Sequence, residues 1–173
     1  MDFWVLFVLR VSLMAIPLYL CNGFALIFGG KTPIDFGRNF FDGRRILGNG
    51  KSIKGTFAGI FFASLGVLAI NVVFPQTGEI LGTNYFWYGV LLAFGAILGD
   101  FAGSFLKRRL NIERGKSVFL LDQLDFVAGG LAAGALLAVP STLEAIFLLA
   151  FTLLLHVVSN RVAYIGKIKR VPW

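Results

Sequence analysis

Charge is scarce in this chain. Only 14% of its 173 residues are Asp, Glu, Lys or Arg, where a soluble domain carries about a quarter. With 57% apolar residues and a mean hydropathy of +0.81, that shortage excludes a water-soluble core of ordinary proportions and makes lipid the expected solvent. Histidine and cysteine are almost missing, one of each, at His156 and Cys21. A zinc site of paired His and Cys is therefore excluded, as are an intramolecular disulfide framework and a Ser-His-Asp arrangement. Cys21 lies inside an apolar run and reads as a small buried hydrophobe. Acidic residues are few as well, 9 against 16 Lys and Arg, for a net charge of +7. Such a balance suits either nucleic acid or the positive-inside bias of membrane proteins, and position decides between them.

Five segments are apolar over the roughly 20 residues needed to cross a bilayer: Phe3–Phe28, Thr56–Phe74, Tyr85–Leu106, Phe119–Val139 and Leu143–Ala163. The fourth carries Asp122 and Asp125. The first is too long for the h-region of a signal peptide and lacks an A-x-A-like cleavage site; Pro17 is expected to kink it. Every one of the 16 cations except Arg10 falls in residues 29–55, 107–116 or 161–170, which five crossings place on one side. The opposite connections, Pro75–Asn84 and Pro140–Thr142, carry none. The expected class is thus an all-α integral membrane protein of about five transmembrane helices, with its N-terminus outside and its C-terminus cytoplasmic. Nucleic acid is not an expected partner. Arg10 is read as snorkelling outward. The chain reads as one polytopic membrane domain, 1–173, whose connection at 29–55 is too long for a simple helix-to-helix turn and suits a functional loop.

Three polar constellations interrupt the apolar pattern. Asp100, Ser104 and Lys107 share one helical stripe, beside Gly99 and Gly103, which would admit a ligand or another helix closely. A carboxylate at membrane depth faces a polar cavity or a partner, or forms an ion pair that only fixes packing. Asp122 and Asp125 lie three apart on one helical face, where their repulsion is relieved by a cation between them. Mg²⁺ suits such hard oxygen ligands, with stabilisation of the helix dipole as the alternative. The loop Asp42-Gly43-Arg44-Arg45-Ile46-Leu47-Gly48-Asn49-Gly50-Lys51-Ser52-Ile53-Lys54 mixes small residues with cations just before a helix. That composition suits phosphate, or a basic loop drawn to anionic lipid. It is not a Walker A loop, because Arg45 stands at the first glycine position. Together the three imply metal-assisted phosphoryl or nucleotidyl transfer at a membrane surface. His156 and Asn160 share a stripe on the last span and are read as helix packing.

Pro33-Ile34-Asp35-Phe36-Gly37, the loop from Asp42 to Lys51, Gly99-Asp100 with Gly103-Ser104 and Lys107-Arg108-Arg109, and Leu121-Asp122-Gln123-Leu124-Asp125 resemble the CDP-archaeol synthase family. The likeness covers nearly the whole chain. It implies transfer of CMP from CTP to an isoprenoid ether-lipid phosphate, with Mg²⁺ as cofactor, at the cytoplasmic face of a multi-pass cell-membrane protein. Asp100, Asp122 and Asp125 match the acidic positions expected to hold metal, with Lys107 beside them in the catalytic group. Asn22, Asp35, Arg44, Arg45, Gly48, Gly50, Lys51, Lys54, Ser104, Arg108 and Arg114 are the positions expected to bind the nucleotide. The related bacterial CDP-diacylglycerol synthases carry Lys-Asp and His-Gly-Gly elements upstream of the paired aspartates. Here Arg114-Gly115-Lys116 and an apolar stretch stand instead, so roles tied to those elements do not transfer. A CDP-alcohol phosphotransferase is disfavoured, since Asp42-Gly43 leads to no Ala-Arg pair. A small transporter with Asp100 as its ion site is the competing class.

Overall fold

The computed structural model describes residues 1–112, 118 and 120–166, without the side chains of residues 163 and 164. Among the described residues all regular structure is helical: α1 (Phe3–Ile27), α2 (Ile53–Val73), α3 (Thr77–Leu81), α4 (Tyr85–Arg109), α5 (Leu121–Gly134) and α6 (Thr142–Ile165). Four of these, α1, α2, α4 and α6, are long and apolar enough to cross a membrane. The fourth expected span is observed as α5, which at 14 residues extends only about 21 Å, short of the ~30 Å hydrocarbon core. Its helix closes at Gly134 and passes through a turn bonded by Leu137 N–H to the Gly134 carbonyl, 2.9 Å, before Pro140. The short α3 was not expected.

Helix ends follow the local chemistry. The Ser52 hydroxyl accepts from Gly55 N–H and caps α2, and Asn84 accepts from Trp87 N–H and caps α4. Ser141 and Glu144 form a reciprocal capping box at the start of α6, Ser141 N–H to Glu144 Oε2 at 2.7 Å and Glu144 N–H to Ser141 Oγ at 3.2 Å. The helix of α1 continues through Pro17.

Lipid removes the hydrophobic drive between apolar helices, so close approach through small residues must supply the packing. The most extensive interface joins α4 and α5, followed by α1 with α2. Gly95, Gly99 and Gly103 line the α4 seam; a methyl on Gly99 would strike the Asp125 backbone and one on Gly103 the Asp125 carboxylate. The glycines flanking Asp100 therefore admit a helix. Met14, Leu18, Leu92, Phe126 and Val127 fill the centre of the bundle, while Phe57, Phe61, Leu65, Leu68 and Val72 on α2 face outward, the reverse of a soluble protein. His156 meets the Phe126 ring edge-on, 6.5 Å between centroids, consistent with packing of α6 on α5.

Arg10 corrects the expectation that it snorkels outward. Its Nε donates to Glu144 at 2.5 Å and its Nη1 to the Ile80 carbonyl at 2.9 Å, tying α1 to α3 and α6. The cation has found the one carboxylate that the capping box already orients. Arg10→Met should lower stability by about 2 kcal/mol, because it strands a charged acceptor. The double variant Arg10→Met/Glu144→Gln should recover most of that in detergent thermal unfolding; equal losses in the two would show that the pair itself is not the source.

Candidate active site

The long loop is built around one carboxylate. Asp35, with its side chain 1% exposed, accepts from the Arg45 guanidinium at 2.7 Å and from the backbone N–H groups of Gly37, Leu47 and Gly48 at 3.1, 3.0 and 2.9 Å. Burial alone would raise its pKa, but Arg45 and the three amides outweigh it and hold the carboxyl well below the usual range. Gly43 and Gly48, at φ of 76° and 92°, make turns that L side chains resist. Two short antiparallel pairings brace the loop, Ile34 N–H to the Lys51 carbonyl at 2.8 Å and Phe40 N–H to the Arg44 carbonyl at 2.7 Å. Asp35 thus faces into the loop, not into a cavity. Its pKa is lowered, so the clamp is complete above the ordinary carboxylate pKa of about 4 and is lost only as pH falls through the depressed value. Asp35→Asn should loosen the loop, read as lower amide hydrogen-exchange protection factors over residues 37–48, with little change in that defect between pH 6 and 8. A defect that disappears as pH rises would reject the clamp.

The loop delivers Lys51 to α4. Lys51 Nζ lies 2.5 Å from Asp100 Oδ1, and the pair borders a cavity of about 130 Å³ whose lining includes Asn22, Gly50, Ser52, Thr56 and Phe101. Among the described residues no hydrogen bond engages the Asn22 side chain, so its donor and acceptor face the cavity. About two turns beyond Asp100 on α4, Lys107 pairs with Asp122 of α5 at 2.6 Å, and Asp122 also accepts from Val118 N–H at 3.1 Å.

Asp125 is different. It accepts from Phe126 N–H at 2.7 Å and lies against Gly103, but no cation pairs with it among the described residues. The charges of Asp100, Lys51 and Asp122 all act on it. Of the three carboxylates near this seam, Lys51 and Lys107 pair with Asp100 and Asp122, and Asp125 is the one left over.

A second hollow, about 370 Å³, lies between the loop and the end of α4, lined by Arg44, Arg45, Gly48, Asn49, Arg108, Asn111 and Ile112. Arg108 Nε is buried without a hydrogen-bond partner among the described residues, a cost that an oxyanion would remove. Lys54 is exposed beside Gly30, Lys31 and Thr32 in a separate hollow, and Ser104 is buried within α4 away from both cavities. Arg114 lies outside the described residues. Arg109 was not among the expected site residues: it bonds Asp42 at 2.5 Å and the Arg45 carbonyl at 2.5 Å, fastening the loop to α4. Its i, i+4 spacing from Phe105, whose ring it covers at 4.8 Å, was the available signal.

No three acidic side chains converge on one metal position among the described residues, since Lys51 and Lys107 hold Asp100 and Asp122. The donor chemistry nonetheless fits a hard divalent ion, because the carboxylates on the α4–α5 seam outnumber their cations and Asp125 is uncompensated.

Part-buried ion pairs, an arginine-lined hollow and membrane-length helices define a multi-pass membrane protein with a charged site suited to anions. The chain belongs to the CarS-like CDP-archaeol synthase family, whose model matches residues 4–173. It is 45% identical over 166 residues to the CDP-archaeol synthase of Methanocaldococcus jannaschii, covering 91% of this chain and 93% of that one. It is 39% identical over 167 residues to that of Aeropyrum pernix, covering 96% and 92%. A solved structure of an intramembrane enzyme for archaeal membrane lipid biosynthesis superposes with a TM-score of 0.76 at 39% identity, over 86% of this chain and 90% of that one.

Proposed function

We propose that this chain transfers CMP from CTP to an unsaturated archaeal ether-lipid phosphate, giving CDP-archaeol and pyrophosphate. The observation that carries this reading is the pairing of Lys51 with Asp100 beside an open cavity, in a chain whose relatives are CDP-archaeol synthases. A lipid phosphate oxygen attacks the α-phosphorus of CTP, a new P–O–P link forms, and the bond to the β-phosphate breaks. The nucleophile already carries its charge, so no protein nucleophile is required. The chain's part is positioning and neutralisation.

Lys51 and Lys107 supply cations that exchange their carboxylates for phosphate oxygens when substrate arrives. Arg44, Arg45 and Arg108 accept the β- and γ-phosphates and then the leaving pyrophosphate. Asn22, with its free amide, offers both a donor and an acceptor to the nucleotide. Asp100, Asp122 and Asp125 are the residues to hold Mg²⁺, which when bound neutralises triphosphate charge. Asp35 serves by shaping the loop, and Lys54 and Ser104 stand further from the reacting atoms. The five-crossing topology, with α5 as a short fourth crossing and the basic loop cytoplasmic, is supported by the one-sided distribution of cations. The transport alternative has no support among the relatives, and Lys51 neutralises the ion site it needs.

Labelled CTP, a synthetic geranylgeranyl glycerol phosphate and purified protein in liposomes test the proposal. Metal-dependent formation of labelled CDP-lipid is expected. No product across several detergents and liposomes, from protein that remains folded, would reject the synthase reading.

A further inference from the structure

The turn that precedes Arg44 displays aromatic surface for which the proposed catalysis has no use. Phe41 is 99% exposed and Phe36 68% exposed. The turn that carries them is tied to α4 through Phe40 and Asp42. Phe36 sits at φ 49°, a region bulky residues rarely adopt, next to the saturated Asp35. Gly43 N–H bonds the Phe40 carbonyl at 3.0 Å. Phe40 then packs edge-on to Phe105 of α4, 5.2 Å between centroids, and to Phe41 at 5.0 Å. Arg109 covers the Phe40 ring at 4.9 Å while it bonds Asp42.

That anchorage fixes the depth of the turn. Trp87 is exposed at the start of α4, as an interfacial aromatic should be. Phe105 lies about 27 Å further along the same helix at 1.5 Å per residue, close to the full ~30 Å of hydrocarbon. Phe40 and Phe41 are therefore at the opposite lipid–water boundary. Leu106 and Leu110 of α4 are exposed at the same level, and Lys31 and Arg38 are exposed on the loop. Apolar rings beside surface cations, at that depth, match a monotopic contact with anionic lipid.

We propose that the Phe36–Phe41 turn is a membrane anchor. Its phenyl rings enter the boundary between headgroups and acyl chains on the basic side, and Lys31 and Arg38 meet anionic headgroups there. The same loop carries Arg45, Gly48, Gly50 and Lys51, so its docking holds the nucleotide-binding face against the surface where a lipid phosphate lies. The inference rests on the membrane-spanning reading, and the experiment separates the two.

Phe41→Cys is labelled with an environment-sensitive fluorophore and reconstituted in anionic liposomes containing lipids with a doxyl quencher at shallow or deep positions. Cys21 is fully buried and does not compete for label. Phe61→Cys, on the outward face in the middle of α2, is the control. The label at 41 is expected to emit blue-shifted and to be quenched several-fold more by shallow than by deep doxyl, with the reverse order at 61. Water-like, unquenched emission at 41 beside a quenched label at 61 overturns the anchor alone. Absence of quenching at both positions brings down the spanning reading and the anchor with it. A blue shift at 41 that ignores doxyl lipid and grows with protein density assigns the patch to a second copy of the chain and also overturns the anchor.

Discussion

Asp125→Asn is expected to reduce CDP-lipid formation by about 10³-fold or more, the scale on which losing a preorganised charge costs several kcal/mol of transition-state stabilisation. Asn keeps the volume of the side chain, so it still fits against Gly103 and still accepts from Phe126 N–H. What it removes is the seam carboxylate that has no cation among the described residues. In the variant Lys51 and Lys107 still pair with Asp100 and Asp122, and the carboxylate left over for a divalent ion is gone. The rate is measured in proteoliposomes with thermal unfolding alongside. Raising Mg²⁺ should restore little, because a ligand is missing and not merely weakened. A variant within tenfold of the parent rate, stably folded, would remove Asp125 from the metal-holding group.

Gly99→Val should be nearly as damaging for a different reason. The added atoms meet the Asp125 backbone across the α4–α5 seam, and a helix backbone cannot step aside as a flexible side chain can. Overpacking of this kind costs about 3 kcal/mol or more. The two helices must separate, which pulls Asp100 away from Asp125 and spoils the charge arrangement along with the fold. The expected result is a large fall in thermal stability together with loss of activity at temperatures where the protein is still folded. Gly23→Ala in α1 is the matched control. Nothing lies within 4 Å of the added methyl, so it should be neutral or stabilising by about 0.5–1 kcal/mol as a helical Gly→Ala change. If both substitutions behaved alike, close approach at Gly99 would not be the source.

The sequence carried most of this site in pieces. Asp100, Lys107, Asp122 and Asp125 stand out because charge is costly among apolar residues, and the loop from Asp42 to Lys54 stands out for its glycines and cations. Asn22, Gly50, Lys51 and Asp100 do meet at one cavity, and Arg44, Arg45, Gly48 and Arg108 at another. Asp35 differs in kind. The family resemblance placed it among the nucleotide-binding positions, but its oxygens are spent on Arg45 and three amides. Arg10 was misread because only the Ser141-x-x-Glu144 capping box marks its partner, 134 residues away.

Membrane residence follows from composition and spacing, because transfer into lipid is nearly additive along a segment; the helix lengths did not, since five spans were expected and four helices of membrane length stand beside the 14-residue α5. Family membership followed from motifs of the same local kind. Which lysine answers which aspartate did not. Lys51 with Asp100 and Lys107 with Asp122 depend on how α4 docks on α5 and how the loop folds back over both. The seam at Gly95, Gly99 and Gly103 and the clamp at Asp35 set those distances through contacts remote in the chain. Pairing energy depends on separation, so only the assembled bundle decides that Asp125 is the seam carboxylate with no cation among the described residues.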